Sequence, residues 1–126
     1  MTRARRLLLI AVSLAATAGG VVACGEEGVS SSLTPEQRHA AQLFDERCSG
    51  CHTLSVVGTQ GTTKNVRERE RTDGPNFNTR HETMENVLYA IRNGGFSGAI
   101  MPENIVVGRD ANDVAAFLAK YAGTGG

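Results

Sequence analysis

Two cysteines three residues apart, followed at once by a histidine, constrain this chain more than any other feature. The motif reads Cys48-Ser49-Gly50-Cys51-His52. Two sulfurs held this close, with an imidazole on the next residue, are the signature of covalent attachment to a c-type haem. The sulfurs can reach two vinyl-derived positions on one haem edge, and His52 can turn its imidazole onto the iron. Gly50 is expected to help the chain bend there. Three competing chemistries fit less well. A thioredoxin-like pair has no need of His52, and the chain lacks the strand pattern of that fold. Structural zinc takes four ligands, usually from two separated pairs, and only one pair is present, with no supporting spacing for His39 or His81. A plain disulfide within so short a loop is sterically poor outside redox enzymes.

A haem iron held by His52 needs a sixth partner or an open position. Met101 is the expected partner, in the loop Gly98-Ala99-Ile100-Met101-Pro102 between two helical segments. Met/His ligation raises the reduction potential and favours electron transfer. Most methionines are core filler, and Met84, at helical spacing with Val87, Leu88 and Ile91, is expected to be one of them. His39 and His81 are the rival sixth ligands. His39 is read as a partly exposed surface residue.

The N-terminus carries an address. Arg3, Arg5 and Arg6 precede an apolar run from Leu7 to Val22, a signal-peptide pattern over residues 1–23. The competing reading is an uncleaved membrane helix, which needs about 20 apolar residues. This run is shorter, and Gly19-Gly20 weakens it. Val21-Val22-Ala23-Cys24 resembles the lipobox of bacterial lipoproteins, which implies cleavage before Cys24 and acylation of its sulfur. Two acyl chains anchor a protein to a membrane where one does not. Residues 24–33 are then a lipidated flexible tether, and 34–126 the folded domain. The whole chain has 13 basic and 13 acidic residues. Without the three N-terminal arginines ten basic residues remain, a net charge of −3. A mildly acidic domain gives no support to nucleic-acid binding.

The domain reads as all-α. Thr34, Pro35 and Gln37 predict a capping box opening a helix that runs to about Arg47 and delivers Cys48. Ala40, Ala41, Leu43 and Phe44 form its apolar face. A second helix is expected over about 81–93, capped by Thr79 with Glu82 and ended by Gly94-Gly95. A third is expected over about 110–121, capped by Asp110, with Val114, Phe117, Leu118 and Tyr121 inward and Gly123 at its end. No strand pair is convincing. Arg67 to Arg71 alternates with glutamates and reads as a solvated stretch, with a redox-partner docking patch as the sharper alternative.

Over residues 35–122 the chain resembles class I cytochromes c, in particular bacterial monohaem members with a lipoprotein signal. Phe44 stands four before the first motif cysteine, Gly74-Pro75-Asn76 is similar to the family's Gly-Pro segment, and Met101-Pro102 to its ligand loop. The resemblance implies three main helices wrapped around one haem c. It also implies that the Pro75 carbonyl orients His52 through a hydrogen bond, and that the last helix crosses the first near Ala40 and Phe44. The stretch from His52 to Gly74 is longer than in the smallest members and reads as a surface insertion. The implied function is single-electron transport in an extracytoplasmic respiratory-type chain, not enzymatic catalysis. Partners would be redox proteins and, through Cys24, a membrane surface, on the periplasmic side or the outer cell surface. No small-molecule substrate is expected. A haem subunit of a membrane-associated oxidoreductase complex is the second reading, and an open-site gas-binding or peroxidase-like haem protein a third.

If His52 is the axial base, His52→Ala prevents stable holoprotein while His39→Ala leaves the haem spectrum unchanged. Loss of haem on His39→Ala would reverse the assignment.

Overall fold

The computed structural model describes residues 28–63, 66–96 and 100–125. The expected signal peptide, residues 24–27 of the expected tether (Cys24 among them), and Gly98 and Ala99 of the methionine loop lie outside the described residues. Three helices dominate: α1 (Pro35–Cys48), α2 (Met84–Asn93) and α3 (Gly108–Tyr121). Helix α3 packs against both α1 and α2, so the C-terminal helix is the centre of the arrangement. No helix among the described residues is long and apolar enough to cross a membrane.

Helix α1 begins as its sequence dictates. The Gln37 amide N–H donates to Thr34 Oγ1 at 3.3 Å, and the Thr34 N–H donates back to Gln37 Oε1 at 3.1 Å. The same Gln37 oxygen accepts the Tyr121 hydroxyl at 3.1 Å. One side chain thus closes the start of α1 and ties it to the end of α3. His39 Nε2 meets Asp110 Oδ1 at 3.2 Å and makes a second link between these helices. Ala40, Ala41 and Phe44 are buried, as their spacing requires of one helix face.

Several boundaries differ from the sequence expectation. Helix α2 starts at Met84, with Thr83 as its cap accepting the Asn86 N–H at 3.2 Å. Thr79 instead donates its hydroxyl to the Asn76 carbonyl at 3.3 Å, and Glu82 turns to Arg80. Met84, the first residue of the helix, is 40% exposed and not core filler, while Val87 and Ile91 are buried. Helix α3 starts two residues before Asp110, with Val107 at the cap position and no side-chain cap. Asp110 therefore sits in the first turn, where a carboxylate still complements the helix dipole, and its side chain serves the His39 pair. Residues 29–33, expected within the tether, belong to the packed domain. Ser30 N–H donates to the Val56 carbonyl at 3.0 Å, Leu33 is buried, and Val29 packs on the core.

The chain also forms a small antiparallel pair, β1 (Thr53–Leu54) with β2 (Thr59–Gln60). A 3₁₀ turn (Ser55–Val57) and the left-handed Gly58, φ 81°, connect them. Two residues per strand leave no alternation to read from sequence. A second 3₁₀ turn spans Val66–Glu68.

Phe44 is completely buried and lies edge-on to Phe77 at a centroid distance of 6.0 Å. Phe44→Ala is expected to destabilise the folded protein by about 3–5 kcal/mol, and Thr34→Ala by about 1 kcal/mol, in denaturant unfolding of the holoprotein. Equal losses from the two would contradict this ranking of core over cap.

Candidate haem site

Helix α1 ends by handing its last carbonyl to the motif. The Cys48 carbonyl accepts both the Cys51 N–H at 3.1 Å and the His52 N–H at 3.0 Å. These two bonds coil Cys48 to His52 into a tight turn. Gly50 is not required for it: its φ is not positive, and a Cβ there would meet nothing within 4 Å. The demanding glycines lie elsewhere. A Cβ on Gly61 would stand 2.1 Å from the Ser49 carbonyl oxygen, and one on Gly74 would stand 2.4 Å from the His52 ring.

The segment expected as a surface insertion divides in two. Its first part supports the motif. Gly61 N–H donates to the His52 carbonyl at 3.2 Å, and Thr59 Oγ1 donates to the same oxygen at 3.2 Å. Thr62 Oγ1 stands 3.0 Å from the Gly74 carbonyl and 3.3 Å from the Cys51 carbonyl. Leu54, Val57, Thr53 and Thr59 are buried. The threonine hydroxyls thus meet the carbonyls of Cys51, His52 and Gly74 directly, and those of Cys51 and His52 also accept a backbone N–H. The second part, from Arg67 to Thr72, is exposed.

His52 Nδ1 lies 3.1 Å from the Pro75 carbonyl oxygen. A carbonyl only accepts, so Nδ1 carries the proton, and in the neutral ring Nε2 keeps a free lone pair. Burial holds the imidazole below its ordinary pKa, opposed by the Pro75 bond, which favours the charged form. Arg80 lowers the pKa further and Glu82 raises it. Phe77 stacks on the His52 ring at 4.7 Å and 15°. Its N–H is fixed by the Thr53 carbonyl at 2.9 Å, and its carbonyl accepts Gly123 N–H at 2.7 Å. The imidazole is therefore held at its edge by a carbonyl and on its face by an aromatic ring.

Beside this ring opens a cavity of about 380 Å³, bordered by Cys48, Cys51, His52, Gly74, Pro75 and Met101. That volume is in the range of small-molecule and cofactor sites, about 300–1,000 Å³. Its inner walls are Phe44, Phe77, Val87, Ile91, Val114 and Leu118, the inward stripes of all three helices plus Phe77. Arg47, Arg69, Arg71, Asp73, Arg80 and Glu82 supply its charged border. The thiols of Cys48 and Cys51 are free and half-buried. Burial, with Cys51 adding to it, pushes the Cys48 thiol up to about 12. A thiol-redox centre depends on the opposite shift, a lowered pKa that releases thiolate. Two thiols and a neutral imidazole on the wall of an apolar cavity fit a flat apolar ring that carries a metal.

Met101 borders the cavity, while His39 and His81 do not. His81 packs instead against Gly123, where a Cβ would stand 2.3 Å from its ring. The loop bearing Met101 is fastened to the end of α2. Asn104 N–H donates to the Ile91 carbonyl at 2.7 Å, and left-handed Gly94, φ 68°, brings its backbone so near the Met101 carbonyl that a Cβ would stand 2.8 Å from it. Thr59, Gly61, Thr62, Phe77, Arg80 and Glu82 carried no sequence signal as site residues. Each acts through a contact that the chain makes only on folding: Gly61 and Thr62 read from sequence as loop residues and Glu82 as a cap partner, none of them as part of a site.

The family model described as cytochrome c matches residues 37–122. No curated protein and no solved structure gives a significant match.

Gly61→Ala is expected to cost about 1–3 kcal/mol through forced separation of packed backbone, and Gly50→Ala to be near neutral. Thermal melting of the two holoproteins measures the contrast, and equal melting temperatures would contradict it.

Proposed function

Because the chain belongs to the cytochrome c family, a family of electron carriers with covalent haem c, we propose that it is a monohaem single-electron carrier. Its place is an extracytoplasmic respiratory-type chain, as a carrier and not an enzyme. Cys48 and Cys51 hold the haem through thioethers. His52 Nε2 and the Met101 sulfur would ligate the iron, and the Pro75 carbonyl fixes the His52 ring and increases its basicity. The observation that carries this assignment is the joint presence, on one apolar cavity, of two half-buried thiols, an imidazole with Nδ1 engaged by Pro75, and Met101.

Bound there, haem supplies a one-electron ferric/ferrous couple. The residues of the chain do the rest. His52 and Met101 would supply the nitrogen and the sulfur ligand of that iron. Phe44, Val87, Ile91, Val114 and Leu118 exclude water from the cavity, and a dry apolar shell tunes the potential. Cys48 and Cys51, half-buried on the border of the cavity, would hold the haem there. Cys24, acylated after removal of residues 1–23, anchors the domain to a bacterial membrane, on the periplasmic side or the outer surface. Partners are redox proteins reached along that membrane.

Holoprotein made with haem-maturation machinery is expected to show sharp reduced α and β bands, and a weak far-red band when oxidised. Met101→Ala should retain covalent haem, lose the far-red band, lower the potential and admit carbon monoxide when reduced. An unchanged spectrum and potential would remove Met101 from the iron, and absence of haem from the wild type would overturn the reading itself.

A further inference from the structure

The chain turns at residues 77–79 and then runs through 80–83 without regular structure into α2, with neighbouring side chains turned to different sides. His81 turns to Gly123, while Arg80 and Glu82 both border the haem cavity. Arg80 Nε and Glu82 Oε1 are 2.5 Å apart. The arginine side chain is 50% exposed, the glutamate only 6%. A buried carboxylate is expensive to desolvate, and an ion pair in such a place is seldom more stable than apolar residues of the same volume. Apolar side chains would close this wall more cheaply. A charge pair that adds little to stability, placed on the wall of a redox cofactor, has a second use.

That use follows from charge. Oxidised haem iron carries one positive charge more than reduced iron. A nearby negative charge favours the oxidised form and lowers the potential, and a positive charge raises it. Buried charges act with less dielectric screening than exposed ones. Arg47, Arg69 and Arg71 also border the cavity but are exposed, so solvent and salt weaken their fields. Asp73 is half-buried and its carboxylate is engaged by the Glu70 N–H at 2.8 Å. Glu82 is the most buried charge on this border.

We infer that the Arg80–Glu82 pair sets the reduction potential of the haem, its two charges biasing the iron in opposite directions and largely cancelling. Arg80 also has a positioning role, since its ion pair holds the Glu82 carboxylate on this wall. The inference rests on the haem reading and adds to it residues that touch neither iron ligand.

The test is potentiometry of holoprotein at pH 8 for the wild type, Glu82→Gln, Arg80→Gln, Arg80→Lys and the double Glu82→Gln/Arg80→Gln variant. A wild type without covalent haem would defeat the haem reading itself, before the pair is considered. With haem present, Glu82→Gln should raise the potential and Arg80→Gln lower it. The double variant should return close to the wild type, and Arg80→Lys should stay near it. Single variants that do not move the potential, or that move it in the same direction, would overturn the inference, since loosened packing has no sign preference for charge. If Glu82→Gln fails to retain haem, the two Arg80 variants decide. A drop with Gln that Lys restores supports the pair, and equal potentials overturn it.

Discussion

The His52 ring has two nitrogens, and the Pro75 carbonyl decides what each of them does. At 3.1 Å it accepts a hydrogen bond from Nδ1–H, so the neutral ring presents a lone pair at Nε2 and nowhere else. Burial favours that neutral state. This single bond joins residues 23 positions apart, and the chain between them is built to make it possible. The Cys51 carbonyl accepts Gly74 N–H at 2.7 Å. Thr62 bridges to the same two stretches, and Gly74 lacks the Cβ that would collide with the ring. Removing any of these changes where Pro75 points and therefore which atom of His52 is available.

The long segment after His52 acquires its meaning in this setting. Loops are usually free to vary because their backbone groups face water. Here residues 53–62 face the motif, and their threonines and Gly61 occupy the carbonyls of Cys51, His52 and Gly74. The hairpin is thus a splint for the cofactor-binding turn, while only the arginine-rich part beyond it behaves as surface. The division coincides with chemistry: small and hydroxyl-bearing residues inside, alternating charges outside.

What the sequence disclosed depended on whether a signal was local. The capping box of Thr34 and Gln37 is four residues long and was legible, as were the haem motif and the glycine stop of α2, because each is decided within a turn of chain. Asp110 and Thr79 were misread as caps because better-placed neighbours exist and nothing local ranks them. Val107 caps α3 without a side-chain bond at all. Met84, the first residue of α2, was misassigned as core filler. The stacking of Phe77 on His52 and the inward turn of Glu82 depend on contacts across the fold, which no local pattern encodes. The cytochrome c match over residues 37–122 begins inside the first turn of α1, whereas Val29 and Leu33, upstream of it, already pack on the domain.

The hydrophobic stripes of the three helices do not close on one another completely. Phe44 from α1, Val87 and Ile91 from α2, and Val114 and Leu118 from α3 are buried among protein atoms, yet all of them also border the cavity. A domain of this size buries too little surface for an open apolar cavity to be cheap, and walls facing a void lose dispersion contacts outright. The group that fills the cavity is therefore also part of the core. Stability and redox function then draw on the same residues: the side chains that would otherwise pack on each other instead pack on haem. Covalent attachment at Cys48 and Cys51 has a physical reason in this geometry, since a core whose central piece could dissociate would come apart with it.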